Sequence, residues 1–188
     1  TEVFGSQVKP RINREINWYQ VYLASTRQHT HEVHSAVSDW LRELDIWGLR
    51  SYEKRVPQKV FTQPQAAIAL FLRHLWGTDG CLRFKTAGPK HLRYPSMYYA
   101  SSSKELAANV QSLLLRIGIN ARLSRIAQTG KGRDQYHIGV TGRREMELFV
   151  DEIGAVGQYK TDSLTEIKQY FLLHSSNPNR DVLPQSIW

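Results

Sequence analysis

The sequence predicts an α+β fold with antiparallel sheets. Stretches with apolar residues at helical spacing alternate with pairs of short stretches rich in β-branched and aromatic residues. From Thr62 onward the order is helix, two strands, helix, two strands, helix, helix, and closely spaced strand pairs favour hairpins. Hydrophobic residues make up 41% of the 188 residues, which is enough for a packed core.

Two strands and a helix are predicted before Thr62. Residues 8–14 and 18–23 have strand composition and are separated by a polar turn. A helix is predicted over residues 31–44, where the apolar side chains on one face are Val33, Val37, Trp40, Leu41 and Leu44. A basic loop over residues 51–57 then ends at a proline.

The next helix is predicted over residues 64–76, with Thr62 as its N-cap and Pro64 in its first turn. Asp79 and Gly80 end it, and such a pair is common turn chemistry before a strand. Two strands are predicted to follow, at residues 82–85 and 96–100.

A capping box, in which Ser102 precedes Glu105 by three positions, opens a helix that ends at Gly118. The last predicted elements are strands at residues 121–126 and 135–140 and helices over residues 142–153 and 162–174.

The first part of the chain resembles the second half of the later unit, because similar strands are followed in each by a helix, a glycine and a lysine-bearing loop. Tyr136 follows Asp79 by 57 positions (136 − 79), whereas only 18 residues precede its counterpart Tyr19. We therefore expect the first repeat to lack about 39 residues (57 − 18) on its N-terminal side. The predicted divisions are an incomplete first repeat over 1–61, a complete repeat over 62–174 and a linker-like tail over 175–188.

The charge of the chain favours a partner that carries phosphates, since the net charge is +8 and the pI is near 9.7. Basic residues alternate with apolar ones along the predicted strands, which makes one sheet face basic. Such a face can hold phosphates and read base edges, although a solvated sheet face is the simpler alternative. The candidate DNA-contacting residues are Lys9, Arg11, Arg14, Arg83, Lys85, Arg122, Ser124, Arg125, Lys131, Arg133 and His137.

Several kinds of site are disfavoured by composition. Cys81 is the single cysteine, so an internal disulfide or a cysteine-based zinc cluster is ruled out, and a reducing, cytoplasmic compartment fits. His29, His31 and His34 are closely spaced, but no second ligand cluster accompanies them, so a zinc site is not expected. No stretch has the length and apolarity of a membrane span, and no membrane partner is expected.

The stretch from Leu72 to Gly80, L-R-H-L-W-G-T-D-G, resembles the LAGLIDADG (dodecapeptide) motif of homing endonucleases. The αββαββα order around it is similar to the repeat of that family. Three further stretches resemble the endonuclease part of inteins, of the type found in replicative DNA helicases: residues 51–57, 112–119 and 181–188. His74 and Gly77 depart from the motif, where the family has a small and an acidic residue.

The resemblance implies a site-specific endonuclease that hydrolyses phosphodiester bonds of double-stranded DNA. Members of the family pair two such helices, and the residues implied at that helix–helix interface are Leu72, Leu75 and Trp76. Asp79 would be the acidic residue of this helix, and with Gly80 it would hold Mg²⁺ or Mn²⁺. Lys54 and its repeat equivalent Lys160 would be catalytic, with solvated loop charges as the alternative.

The implied partners are double-stranded DNA, a flanking intein splicing domain, and either the missing N-terminal half or a second copy to supply the other acidic helix. The chain itself has no cysteine or serine at its start and no His-Asn pair at its end for splicing chemistry. Two alternatives stay open: a DNA-binding module of the same fold that does not cleave, and an RNA-binding intron maturase.

Overall fold

The structure is a computed structural model that describes residues 3–28, 30, 33–87, 92–130 and 132–175. The chain forms two compact units. The N-terminal unit comprises Thr1–Arg50 and Pro57–Lys59, and the C-terminal unit comprises Ser51–Val56 and Val60–Trp188. The units differ from the predicted repeats in that Ser51–Val56 belong with the C-terminal unit, and the division into repeats stays a prediction.

The N-terminal unit contains an antiparallel hairpin of β1, Val8–Arg14, and β2, Tyr19–Ser25. Its helix α1 covers Ala36–Glu43 and begins later than predicted. The reason is the N-cap: the Ser35 hydroxyl accepts a hydrogen bond from the Ser38 N–H at 3.1 Å, which satisfies a free donor of the first turn. Val33 therefore precedes the helix instead of lying on its apolar face.

A short helix that the sequence did not predict, α2, covers Gln58–Phe61. The remaining elements confirm the predicted order of helix, two strands, helix, two strands, helix, helix. They are α3 Gln65–Asp79, β3 Gly80–Ala87, β4 Leu92–Ser101, α4 Lys104–Arg116, β5 Ala121–Ile126, β6 Gln135–Val140, α5 Arg143–Leu148 and α6 Gln158–Leu173, with a π-helical turn at Phe149–Ile153 after α5.

The four strands of the C-terminal unit form one antiparallel sheet in the order β3-β4-β6-β5. Side chains alternate between its two faces. The inner face packs against α3, α4 and α6 and contributes Leu82, Met97, Tyr99, Ile138 and Val140 to the buried core. The opposite, outer face carries Cys81, Arg83, Lys85, Ser96, Tyr98, Ala100, Arg122, Ser124, Ile126, His137 and Gly139, none of which is buried. The predicted α+β fold with antiparallel sheets is thus confirmed.

Helix α3 is anchored in the core of the C-terminal unit by residues four positions apart, Ile68, Leu72 and Trp76, which are at most 1% exposed. The Trp76 ring lies 4.9 Å from the Phe149 ring and 5.6 Å from the Tyr99 ring between centroids. This corrects the assignment of Leu72 and Trp76 to a helix–helix interface, because both side chains are already enclosed by their own unit.

The two ends of α3 also differ from the sequence expectation. Pro64, not Thr62, occupies the N-cap position, without a capping side-chain bond. At the other end the helix continues to Asp79, and Gly80 is extended, with φ of −74° and ψ of 145°, as the first residue of β3. Helix and strand are therefore joined directly, without the expected turn.

Candidate active site and nucleic-acid interface

The carboxylate of Asp79 lies on the last residue of α3 and is exposed. A negative charge at the C-terminal end of a helix meets the partial negative charge of the free carbonyl groups, an arrangement that is unfavourable for stability. An acidic residue at this position therefore calls for a cationic partner nearby.

Gly80 is required by space and not by backbone conformation. A Cβ atom at this residue would lie 2.2 Å from Cδ1 of Trp76, well inside van der Waals contact. The Gly80 N–H also donates to the carbonyl oxygen of Trp76. The buried indole and the glycine together fix the point at which α3 becomes β3, and with it the position of Asp79.

Lys160, near the start of α6, supplies a cation at this helix end. Its ammonium group donates a hydrogen bond to the carbonyl oxygen of Gly80. The side chain is partly buried, so its charge is less screened by solvent than that of a free surface lysine. The structure thus brings two of the predicted site residues, Lys160 and Gly80, into direct contact beside Asp79.

Tyr99 lies opposite Gly80 in the β3–β4 register and is 2% exposed. Burial, with a smaller contribution from the negative charge of Asp79, raises the pKa of Tyr99 to about 12. Asp79 is thus close enough for its charge to be felt across the first residue pair of the sheet.

Lys54 lies in an exposed segment that is fastened to the start of α4. Its carbonyl oxygen accepts a hydrogen bond from the Ser103 hydroxyl at 2.6 Å, and the Val56 N–H donates to Asn109 Oδ1 at 3.0 Å. Ser103 also caps α4 by accepting from the Leu106 N–H, so the cap is Ser103 and not the predicted Ser102. The described contacts therefore attach Lys54 to α4, whereas those of Lys160 reach the end of α3.

Five of the predicted DNA-contacting residues share the outer face: Arg83, Lys85, Arg122, Ser124 and His137. The register places Arg122 opposite Gly139, and Ser124 opposite His137, which itself pairs with Ala100 on β4. Small residues between the larger polar side chains leave room for a groove-shaped ligand. This grouping follows directly from strand alternation.

Two predicted contacts do not belong with the others. Arg125 follows Ser124 on β5 and so points to the opposite side of the sheet, where its guanidinium Nε donates to Asp134 Oδ2 at 2.6 Å. This contact and the Gln128 N–H lower the pKa of Asp134. Arg14 lies on the face of the β1–β2 hairpin that carries Ile12, opposite to Lys9 and Arg11. Adjacent or odd-spaced residues of a strand cannot share one face, which corrects both assignments.

The remaining candidates lie in other surroundings. In the N-terminal unit the Arg11 guanidinium lies 6.0 Å from the centre of the Tyr22 ring, its cross-strand partner. Arg133 stacks at 3.7 Å over the ring of Tyr52, in the β5–β6 connection. Lys131 lies outside the described residues, as do His29 and His31 of the histidine cluster.

Tyr98 is an outer-face residue that the sequence analysis missed. Its ring stacks on His137 with a centroid distance of 4.9 Å and an angle of 8° between the ring planes. The alternation of Ser96, Tyr98 and Ala100 on β4 would have placed it on the polar face, but only basic residues were selected.

The oxygen donors at the end of α3 fit a hard cation such as Mg²⁺ in kind. They are the Asp79 carboxylate and the Gly80 carbonyl, and the latter already accepts from Lys160. Among the described residues no group of three or more histidine, cysteine or acidic side chains is close enough to hold a metal ion. Further ligands would have to come from a nucleic acid or from another acidic helix.

The exposed side of α3 carries Ala66, Leu70 and His74, again four positions apart, and Leu70 is 51% exposed. Small and apolar residues on one side of a helix allow the close approach of a second helix. No helix in the described part of the chain is long and apolar enough to cross a membrane.

Comparison with known proteins identifies similar segments in larger proteins. Residues 66–154 match the family of LAGLIDADG-like domains. The replicative DNA helicase DnaB of Synechocystis sp. is 55% identical over 99% of this chain, and that of Rhodothermus marinus is 52% identical over the whole chain. One of the DNA gyrase subunits of Mycobacterium gordonae is 34% identical over 65% of the chain. The matched regions are 21%, 20% and 20% of those proteins, so the chain spans about a fifth of the length of these relatives.

Proposed function

Since residues 66–154 belong to the family of LAGLIDADG-like domains, we propose that this chain is the homing endonuclease domain of an intein, which cleaves double-stranded DNA at a specific site. The observation that carries the proposal is the end of α3. An exposed Asp79, whose position stability alone would disfavour, is held beside Lys160 and adjoins the basic outer face through β3.

The insertion of this segment into a host protein is supported by its distribution. Similar segments occupy about a fifth of a replicative DNA helicase and about a fifth of one DNA gyrase polypeptide. A segment shared by two proteins of different name, but not accounting for most of either, is typical of an inserted element. The proposal therefore includes a flanking splicing domain and a cytoplasmic location, where such host proteins act on DNA.

The chain's own residues divide the work of cleavage. Arg83, Lys85 and Arg122 bind phosphates and base edges on the outer face, which orients a scissile phosphate toward Asp79. Lys160 stabilises the negative charge that develops on that phosphate. Mg²⁺ or Mn²⁺ held by the Asp79 carboxylate would supply polarisation of the phosphodiester and an activated water.

The site requires a second acidic residue, because Asp79 is a single carboxylate. Pairing of two helices of this type would supply it, and the exposed stripe of Ala66, Leu70 and His74 is the side of α3 left for that contact. The second helix would come from a preceding part of the protein or from a second copy. Leu75 is partly buried and flanks the core, so it borders this contact and does not form its centre.

A cleavage assay on a defined plasmid tests the proposal. The plasmid carries a helicase coding sequence that lacks the insertion, and the chain is assayed with Mg²⁺ both alone and within its precursor. We expect the precursor to cut at one site, and Asp79→Asn to lose cutting while it binds the same DNA with unchanged affinity. Cutting by Asp79→Asn would overturn the role assigned to this carboxylate.

DNA binding without cleavage is the second candidate, and the lone carboxylate favours it. It would be supported if the wild-type precursor bound the plasmid site with a steep salt dependence but left the DNA intact. A preference for structured intron RNA over the duplex would instead support the maturase alternative.

A further inference from the structure

Tyr98 lies at the centre of the outer face and contacts three polar residues on two neighbouring strands. Its ring centre is 5.9 Å from the Arg83 guanidinium carbon and 5.5 Å from Lys85 Nζ, and the His137 ring stacks on it. Both cations are therefore within the distance at which an aromatic ring attracts a positive charge. No other outer-face side chain has this many ring contacts among the described residues.

These contacts restrict side chains that are otherwise mobile. Long basic side chains have many rotamers, and binding must pay for those that it freezes. A cation held against a ring before the ligand arrives loses less freedom on binding. The hydroxyl group adds a further restraint, because a hydrogen bond with the Cys81 thiol, together with burial, raises the pKa of Tyr98.

Resting on the proposed DNA-cleaving function, we propose that Tyr98 is a positioning residue that holds Arg83, Lys85 and His137 in one arrangement before DNA binds, and so determines sequence discrimination. A fixed guanidinium can present two N–H groups to the edge of a guanine, whereas a mobile one binds any nearby phosphate. Loss of the ring therefore weakens binding to the specific site more than binding to unrelated DNA. The number of positive charges, and with it the salt dependence of nonspecific binding, does not change.

The test replaces the ring within the full chain and compares two duplexes of equal length, the site cut by the precursor and a shuffled sequence. Tyr98→Thr removes the ring but keeps a residue that suits a strand, and Tyr98→Phe is the matched control that keeps it. We expect Tyr98→Thr to lower the ratio of specific to nonspecific affinity by about five- to thirty-fold, the loss of two exposed cation–π contacts. Tyr98→Phe should retain most of the wild-type ratio.

A second measurement does not depend on DNA. Burial, and to a lesser extent the charge of Lys85, lowers the pKa of His137, and the Tyr98 ring covers part of the imidazole. We expect an NMR titration to show a higher His137 pKa in Tyr98→Thr, and in Tyr98→Leu as a second ring-free variant, but not in Tyr98→Phe. Unchanged titration in both ring-free variants would overturn the positioning role.

The outcomes separate this inference from the function on which it rests. If the wild-type chain does not distinguish the two duplexes, the proposed function and this inference both fail. If it does distinguish them and Tyr98→Thr does so equally well, only the inference fails. Equal weakening on both duplexes would also count against it, because that pattern indicates general damage to the surface.

Discussion

The ammonium group of Lys160 donates a hydrogen bond to the carbonyl oxygen of Gly80, the residue that directly follows Asp79. The donor and acceptor residues are 80 positions apart in the sequence. Helix α6 thus delivers a positive charge to the C-terminal end of α3, where a carboxylate and the helix dipole are both negative. Stability and the proposed chemistry therefore depend on the same lysine.

Replacing Lys160 with methionine should affect both properties. We expect the free energy of unfolding to fall by about 1–2 kcal/mol, because the carbonyl of buried Gly80 loses its charged donor. Cleavage by the precursor should fall by roughly a hundredfold, as for the loss of an electrostatic group at a reacting centre. Urea denaturation and single-turnover cleavage measure the two effects.

Lys168→Met is the control for this change, because Lys168 lies on the same helix and pairs with Asp151 at 2.8 Å on the surface. An exposed pair of this kind contributes only about 0–1 kcal/mol. Equal losses of stability and activity in the two variants would show that Lys160 has no special place at the end of α3.

Two glycines of the same sheet should respond differently to alanine. Gly80→Ala forces a Cβ to within 2.2 Å of Trp76, and we expect a loss of about 1–3 kcal/mol from this overpacking. Gly139→Ala is the matched substitution, since its nearest neighbour would lie at an ordinary 3.9 Å. Its stability should be equal to or slightly above that of the wild type. Urea midpoints decide, and similar losses at both positions would contradict the close approach of Trp76.

Arg122 and Arg125 provide a comparison between the two faces of one strand. Arg122→Ala should weaken DNA binding and reduce the slope of log affinity against log salt by about 1, since one phosphate contact is lost. Arg125→Ala should leave both nearly unchanged, because Arg125 points to the other side and pairs with Asp134. Fluorescence anisotropy at several salt concentrations measures the slope, and a larger effect of Arg125 would invert the assignment of faces.

Stability should fall in mild acid because of His137. Its pKa is lowered in the folded chain, first by burial and then by Lys85, so the unfolded chain takes up the proton at higher pH. The contribution is complete above the ordinary histidine pKa of about 6.5 and is lost as the pH falls below it. Tyr98, Arg83 and Gln135 are the other groups near the ring, and Gln135 Oε1 lies 3.3 Å from Nε2.

His137→Gln should flatten this part of the pH profile. Urea midpoints between about pH 5 and pH 7.5 compare the variant with the wild type. If the two profiles stay parallel, other titrating groups are responsible for the loss in acid.

Local sequence signals predicted the element order, the β5 and β6 boundaries and the acidic end of α3, because each depends on residues close together in the chain. They failed where the answer depended on distant contacts. Nothing near Lys160 shows that it reaches Gly80, and the apolar spacing of Leu72 and Trp76 does not reveal whether a core or another helix covers them. Arg125 and Tyr98 are different, since strict alternation along β4 and β5 would have placed both correctly.

The direct passage from α3 into β3 has a mechanical consequence. No hinge residue separates the carboxylate-bearing helix from the strand that follows, so the two behave as a single stiff lever. A ligand that tugs on the strand would displace the acid by a comparable amount, and the span between the reading groups and the cutting group is built into the covalent backbone.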